Sequence, residues 1–234
     1  MTIHDLDAPA LLIDANVLDA NLRKMAKYCN DHKLALRPHT KTHKMPEIAR
    51  LQLQHGATGI TVAKPGEAEV MADAALRTFV IVYPLWGEKK WARLVNLAGR
   101  VRITVAIDSL AVAAGISKAA KAAGREIGIR AEFDTGFHRC GWPITAESMN
   151  EIQKMIALPG LRWDGILVYP GHIMGNQIVR EQDMSFRITY ALVSTCMTAP
   201  LWWKENTWSM SGKQQRVGKS SDSTSCAQDN SRRE

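Results

Sequence analysis

From Leu34 onward, short apolar runs alternate with helix-like segments at a steady pace, a rhythm that points to parallel strands joined by helices. Residues 34–37 are expected as a strand, followed by a helix over 45–55 with Pro46 in a tolerated first-turn position. Strand and helix then recur over 59–64 and 66–75, over 79–84 and 88–98, and over 102–108 and an alanine-rich helix that Ser109 caps and Gly124 ends. A fifth strand, 127–133, precedes a helix capped by Thr145, and a sixth covers 161–169. A leading strand over 10–13 and a helix with Leu18, Leu22, Met25 and Cys29 on one face come before them. The strands are nearly unalternated, which suggests a parallel sheet covered on both faces.

Six βα units fit either an open doubly wound sheet or three quarters of an eight-stranded barrel. No GxGxxG follows the first strand, which argues against a dinucleotide fold. Lys41, Lys64, Pro84, Asp108, Asp134 and Tyr169 all fall at the C-terminal ends of successive strands, the active-site rim of a βα barrel. The fold class expected is therefore an α/β, TIM-like (β/α)8 barrel of which about six units are present. The rhythm stops soon after Asn176, and the segment that follows holds Trp202, Trp203 and Trp208 beside a Gln-, Ser- and Lys-rich end. Residues 1–184 are read as an incomplete barrel domain. Residues 185–234 are read as an irregular tail, disordered or left by a truncation or reading-frame change, with an unusual native C-terminus as the alternative.

With 234 residues, 46% of them hydrophobic, the chain can bury a substantial core. No apolar run is long enough for a membrane span, and Met1–Asp5 lacks a signal-peptide profile. Cys29, Cys140, Cys196 and Cys226 are far apart and form no CxxC pair, so they read as reduced thiols of a cytoplasmic protein and supply no metal site. The formal charge of +7 suits an anionic partner, but its dispersal argues against nucleic acid and leaves a phosphate-bearing small molecule sufficient.

Three stretches carry chemistry. Arg37-Pro38-His39-Thr40-Lys41-Thr42-His43-Lys44 runs straight off the first strand, because proline forces the residue before it into extended geometry. A lysine that condenses with a carbonyl needs a fixed direction and a free amine, and neighbouring cations and partial burial favour that form. A solvated basic loop is the competing reading. Asp134-Thr135-Gly136-Phe137-His138-Arg139-Cys140-Gly141 places an arginine between two glycines, able to meet a phenolate, carboxylate or phosphate, or simply to bridge two rim loops. Tyr169-Pro170-Gly171-His172 offers a phenol and an imidazole at the sixth strand's end, although a tyrosine there can also merely pack. His4, His32 and His55 are assigned no role, Cys140 is read as packing, and Trp86 and Trp91 as core or interface.

A lysine, an arginine, a tyrosine and a histidine around one barrel mouth are what a pyridoxal phosphate site needs. Together with Asp7-Ala8-Pro9-Ala10-Leu11-Leu12-Ile13-Asp14 and Ala63-Lys64-Pro65-Gly66-Glu67-Ala68-Glu69, these motifs resemble the D-threonine aldolase and D-serine dehydratase family, alanine-racemase-like fold-type III pyridoxal phosphate enzymes, from about Leu6 to Asn176. The resemblance implies that Lys41 bonds the cofactor's aldehyde, that Arg139 approaches its phenolic oxygen, that Tyr169 lies beside its ring and that His39 lines the site. His172 is the candidate for ring contact or proton transfer. It implies a lyase cleaving β-hydroxy D-amino acids to glycine and an aldehyde, with dehydration, racemisation or an inactive truncated barrel as alternatives. Members of that family are homodimers with a C-terminal β-domain holding a divalent metal, manganese or zinc, through a histidine and an aspartate or cysteine. No histidine follows His172, so that pair is not expected here in its usual form.

Overall fold

The computed structural model describes residues 2–172. The described residues form one compact unit. The tail expected over 185–234 lies outside the described residues.

Five strands form one sheet in the order β1-β2-β3-β4-β5, every neighbouring pair parallel. They are β1 (Ile60–Val62), β2 (Thr78–Ile81), β3 (Arg102–Ile107), β4 (Ile127–Phe133) and β5 (Leu161–Val168). The helices α1 (Ala15–Asp31), α2 (Pro46–Gln54), α3 (Pro65–Asp73), α4 (Glu88–Ala98), α5 (Leu110–Ala122) and α6 (Ala146–Ile156) complete the alternation. Sequential parallel strands joined by helices are the architecture of a partial βα barrel.

The local sequence explains the element ends. Asp14 accepts hydrogen bonds from the Asn16 and Val17 amides and starts α1, and Thr145 does the same for Ser148 at α6. Ser109 occupies the N-cap of α5, yet its side chain makes no capping bond. Gly124, at φ +61°, ends α5 in a Schellman arrangement: its own amide bonds to the Lys121 carbonyl and that of Arg125 to the Ala120 carbonyl.

Alternation along the strands sorts two faces. Ile60, Val62, Phe79, Ile81, Ile103, Val105, Ile107, Ile127, Ile129, Ala131 and Phe133 pack with Leu94, Ile116, Ile152 and Met155 of the helices into one core. The opposite face is more polar than the apolar strands suggested. Near the strand starts, Asp164 accepts from Thr104 Oγ1 at 2.6 Å and from Arg162 Nε and Nη2 at 2.9 Å each. Burial pushes the Asp164 carboxyl up, but the Arg162 fork and Thr104 outweigh it and hold the group below its ordinary value.

Two expected strands do not form among the described residues. Residues 10–13 are irregular, and Leu11 is 94% exposed: a strand needs a partner for its backbone groups, and none is described beside it. Residues 34–37 are also irregular, and the segment joins β1 by a single parallel bridge, His39 to Thr61. Pro38 has no N–H to extend that ladder. On α1, Cys29 is buried and Leu18 and Leu22 are half-buried, whereas Met25 is exposed, rotated off the stripe. Trp86 is exposed, while Trp91 donates to the Leu85 carbonyl at 2.9 Å and packs on Gly115.

Candidate active site

The polar face opens at the C-terminal ends of the strands into a cavity of about 790 Å³. Its wall is made by Arg37, His39 and Lys41 before α2, Thr61 on β1 with Ala63 just past it, Val82 to Pro84 after β2, Glu132 on β4, and Leu167 and Val168 on β5 with Tyr169 just past it. Arg139 and Cys140 descend from the loop after β4.

The basic octapeptide is fixed by its threonine. Thr40 is buried, its amide donating to the Thr61 carbonyl at 2.9 Å and its hydroxyl to the same oxygen at 3.2 Å. With Thr40 pinned outward, the residues on either side, His39 and Lys41, face the cavity. The Lys41 amide donates to His39 Nδ1 at 3.2 Å, and the Lys44 amide closes a turn on the Thr40 carbonyl at 2.8 Å. Glu67 on α3 holds the turn from outside, accepting from the Ala63 amide at 2.9 Å while Lys44 Nζ stands 3.6 Å from its other oxygen. Lys41 itself is exposed at the rim, not partly buried as the sequence suggested. Burial, with the charge of Lys41 behind it, keeps the His39 imidazole below its ordinary pKa; burial also pulls Arg37 down, reinforced by Arg130 and Arg102.

Arg139 reaches the cavity because its loop doubles back. The Trp142 amide bonds to the Glu132 carbonyl at 2.8 Å, and the Asp134 amide to the Trp142 carbonyl at 3.0 Å. Gly141 makes the return possible at φ +111°, where an added Cβ would stand 2.5 Å from the Asp134 nitrogen. Asp134 turns into its own loop, accepting from the amides of Gly136 and His138 and from the His138 ring at 2.9 Å. Asp108 accepts from the Gly141 amide at 3.4 Å. These two rim aspartates therefore shape the loop, and Lys64 is an exposed N-cap of α3.

Tyr169 is the meeting point. Arg139 Cζ lies 4.4 Å and Lys41 Nζ 6.0 Å from its ring centroid, and Phe137 meets it edge-on at 5.5 Å. Lys41, His39, Arg139 and Tyr169 are thus brought to one cavity. His172 is not in its wall; it is exposed, with Phe137 stacked 6.3 Å away and Gly136 beside its ring. The sequence reading missed Glu132 and Arg37, and it took Cys140 for packing although Cys140 lines the cavity. A charged residue on an otherwise apolar strand was the available signal: Gly128, Arg130 and Glu132 alternate with Ile127, Ile129 and Ala131. No helix among the described residues is long and apolar enough to cross a membrane.

A partial βα barrel presenting a lysine, an arginine and an aromatic ring at its strand ends defines a class, and comparison places the chain within it. Residues 13–213 match the family model of the alanine racemase N-terminal domain, and the chain belongs to that family. It is 36% identical over 177 residues to a D-threonine aldolase of Arthrobacter sp, across 76% of this chain and 47% of that protein. It is 34% identical over 202 residues to a 3-hydroxy-D-aspartate aldolase of Paracoccus denitrificans (strain Pd 1222), across 85% of this chain and 52% of that one. The crystal structure of D-threonine aldolase from Filomicrobium marinum superposes with a TM-score of 0.79 at 31% identity, covering 83% of this chain and 54% of that chain. The chain spans about half the length of the curated relatives it matches.

Proposed function

We propose that this chain carries the cofactor-binding barrel of a pyridoxal phosphate lyase that cleaves β-hydroxy D-amino acids to glycine and an aldehyde. The convergence of Lys41, Arg139 and Tyr169 on one cavity carries the reading. The donor set fits the cofactor's ring end: a primary amine for the aldehyde, a guanidinium fork for an anionic oxygen and an aromatic face for a flat ring. Bound there, pyridoxal phosphate supplies an electron sink for charge developing at the substrate's Cα.

The chain's own groups do the rest. Lys41 would hold the cofactor at its aldehyde, with the turn that carries it anchored by Thr40. Arg139 would meet an anionic oxygen of the cofactor and Tyr169 would flank its ring, while His39, short of protons near neutral pH, accepts from the Lys41 amide and lines the wall. His172, exposed one loop outward beside Phe137, is the candidate for proton transfer. The family's divalent metal and its homodimer are expectations drawn from the resemblance, and a cytoplasmic location is one drawn from the dispersed cysteines.

The test supplies D-threonine, pyridoxal phosphate and manganese or zinc to the chain and follows glycine and acetaldehyde. Cofactor-dependent release of both, abolished in Lys41→Ala, is the expected result. A keto acid and ammonia in their place would make the activity a dehydration, and no Lys41-dependent product would remove the lyase reading.

A further inference from the structure

Glu132 is a carboxylate buried in the cavity wall for which the mechanism above has no task. It is 2% exposed, on β4, and lines the cavity. Burying a carboxylate is unfavourable unless other groups answer it. Two do, both from the loop that returns over the strand. Cys140 Sγ donates to Glu132 Oε1 at 3.1 Å, and Arg139 Nη2 stands 3.8 Å from the same oxygen, an ion-pair separation.

We propose that Glu132 is the positioning residue for Arg139: its buried carboxylate draws the guanidinium down against the Tyr169 ring, with the Cys140 thiol as a second tether. The inference rests on the reading that Arg139 serves the cofactor. The Arg139 side chain is 47% exposed and sits on a loop, so its stem alone does not aim it. The rings of Tyr169 and Phe137, at 4.4 and 5.4 Å, attract a guanidinium but leave it free to slide across their faces. A fixed carboxylate removes that freedom. The backbone brings the partners together independently of their side chains, because the 132–142 and 134–142 hydrogen bonds lock the return of the loop.

The electrostatics agree with the geometry. Burial, aided by Asp108 at the end of β3, raises the Glu132 carboxyl, against the opposing pull of Cys140 and Arg139. Burial also raises the Cys140 thiol; Arg139 works against that, and Glu132 adds to it. Arg37, His39 and Lys41 are the further basic side chains that line the cavity, and Arg130 lies two residues before Glu132 on the same strand.

The experiment has two arms on the full chain. Without cofactor, the pH midpoint of Cys140 alkylation is followed by peptide mass spectrometry. In Glu132→Gln it is expected to fall by about one unit, a tenfold gain in thiolate below the midpoint. In Arg139→Gln it is expected to rise, and in the double variant the two shifts should not add, as coupled partners require. With pyridoxal phosphate, Glu132→Gln is expected to weaken binding about tenfold and move the pH midpoint of the visible band, with Glu132→Asp restoring part of both. Unchanged thiol midpoints, or wild-type cofactor affinity and band midpoint in Glu132→Gln, would overturn the proposal. If wild type shows no Lys41-dependent band, the proposed function falls, and the thiol arm alone decides whether Glu132 governs this loop. Should Glu132→Gln fail to fold, Arg139→Gln tests the same pair from its exposed side: a raised Cys140 midpoint supports the proposal and an unmoved one overturns it.

Discussion

Gly141→Ala tests the loop that delivers Arg139. At φ +111° a Cβ is strained in itself, and here it would also stand 2.5 Å from the Asp134 nitrogen and 2.6 Å from the Phe133 carbonyl carbon. Those are backbone atoms held by the end of β4, so no side chain can swing away to relieve the overlap. The conformational cost is about 1–3 kcal/mol, and the overlap adds about 1–3 kcal/mol. Gly124→Ala is the matched control: it too has positive φ, +61°, but nothing lies within 4 Å of its added Cβ. It should cost only about 1–2 kcal/mol. The gain from stiffening the unfolded chain is shared by both variants and cancels in their difference. Gly141→Ala should therefore be less stable than Gly124→Ala by about 2 kcal/mol, or about 1 M in urea midpoint at a slope near 2 kcal/mol/M. Far-UV circular dichroism of the cofactor-free chain reads both midpoints. Equal midpoints would refute the account of the loop return.

Other consequences follow from the same geometry. Asp164 has a depressed pKa, so its stabilising contribution is present above the unfolded value, about 3.9, and is lost as pH falls through the folded value. Asp164→Asn should then cost about 2 kcal/mol at pH 7 and progressively less below pH 4; a constant cost across that range would contradict the assignment. His39 has a lowered pKa, so between the folded value and about 6.5 the unfolded chain holds the extra proton, and stability rises with pH through that window. Its ring protons should titrate by NMR below the ordinary histidine midpoint; a midpoint at or above it would show that the His39 pocket is not formed. Glu67→Gln removes the charge facing Lys44 and weakens the clamp on the Lys41 turn. Amide exchange over residues 40–44 should speed several-fold, and unchanged protection would show that Thr40 alone holds the turn.

The alternation of strand and helix was legible because each βα unit announces itself locally. The helix at Glu88–Ala98 and the strand at Ile127–Phe133 emerge with the expected bounds, one from its apolar stripe and the other from Ile127, Ile129, Ala131 and Phe133 at every second position. Residues 10–13 misled because the same apolar composition cannot make a strand without a neighbour to bond, and neighbours are not encoded locally. At 34–37, Pro38 already signalled an interrupted ladder. In the site, the lysine, arginine and tyrosine stood out through their positions at strand ends. Glu132 did not, because its significance depends on Arg139 and Cys140 returning over it, a tertiary event set by Gly141. Asp134 misled in the opposite sense: strand-end placement suggested the rim, whereas its carboxylate closes its own loop.

The central claim concerns which amine meets the cofactor. Lys41 and Lys44 lie on the turn before α2 and Lys64 caps α3, but only Lys41 among them lines the cavity beside Arg139 and Tyr169. Borohydride reduction of the full chain with pyridoxal phosphate, followed by peptide mapping, fixes the adduct where it forms. The account predicts label concentrated on Lys41 and lost in Lys41→Ala; label on Lys44 or Lys64, or scattered over surface lysines, would contradict it.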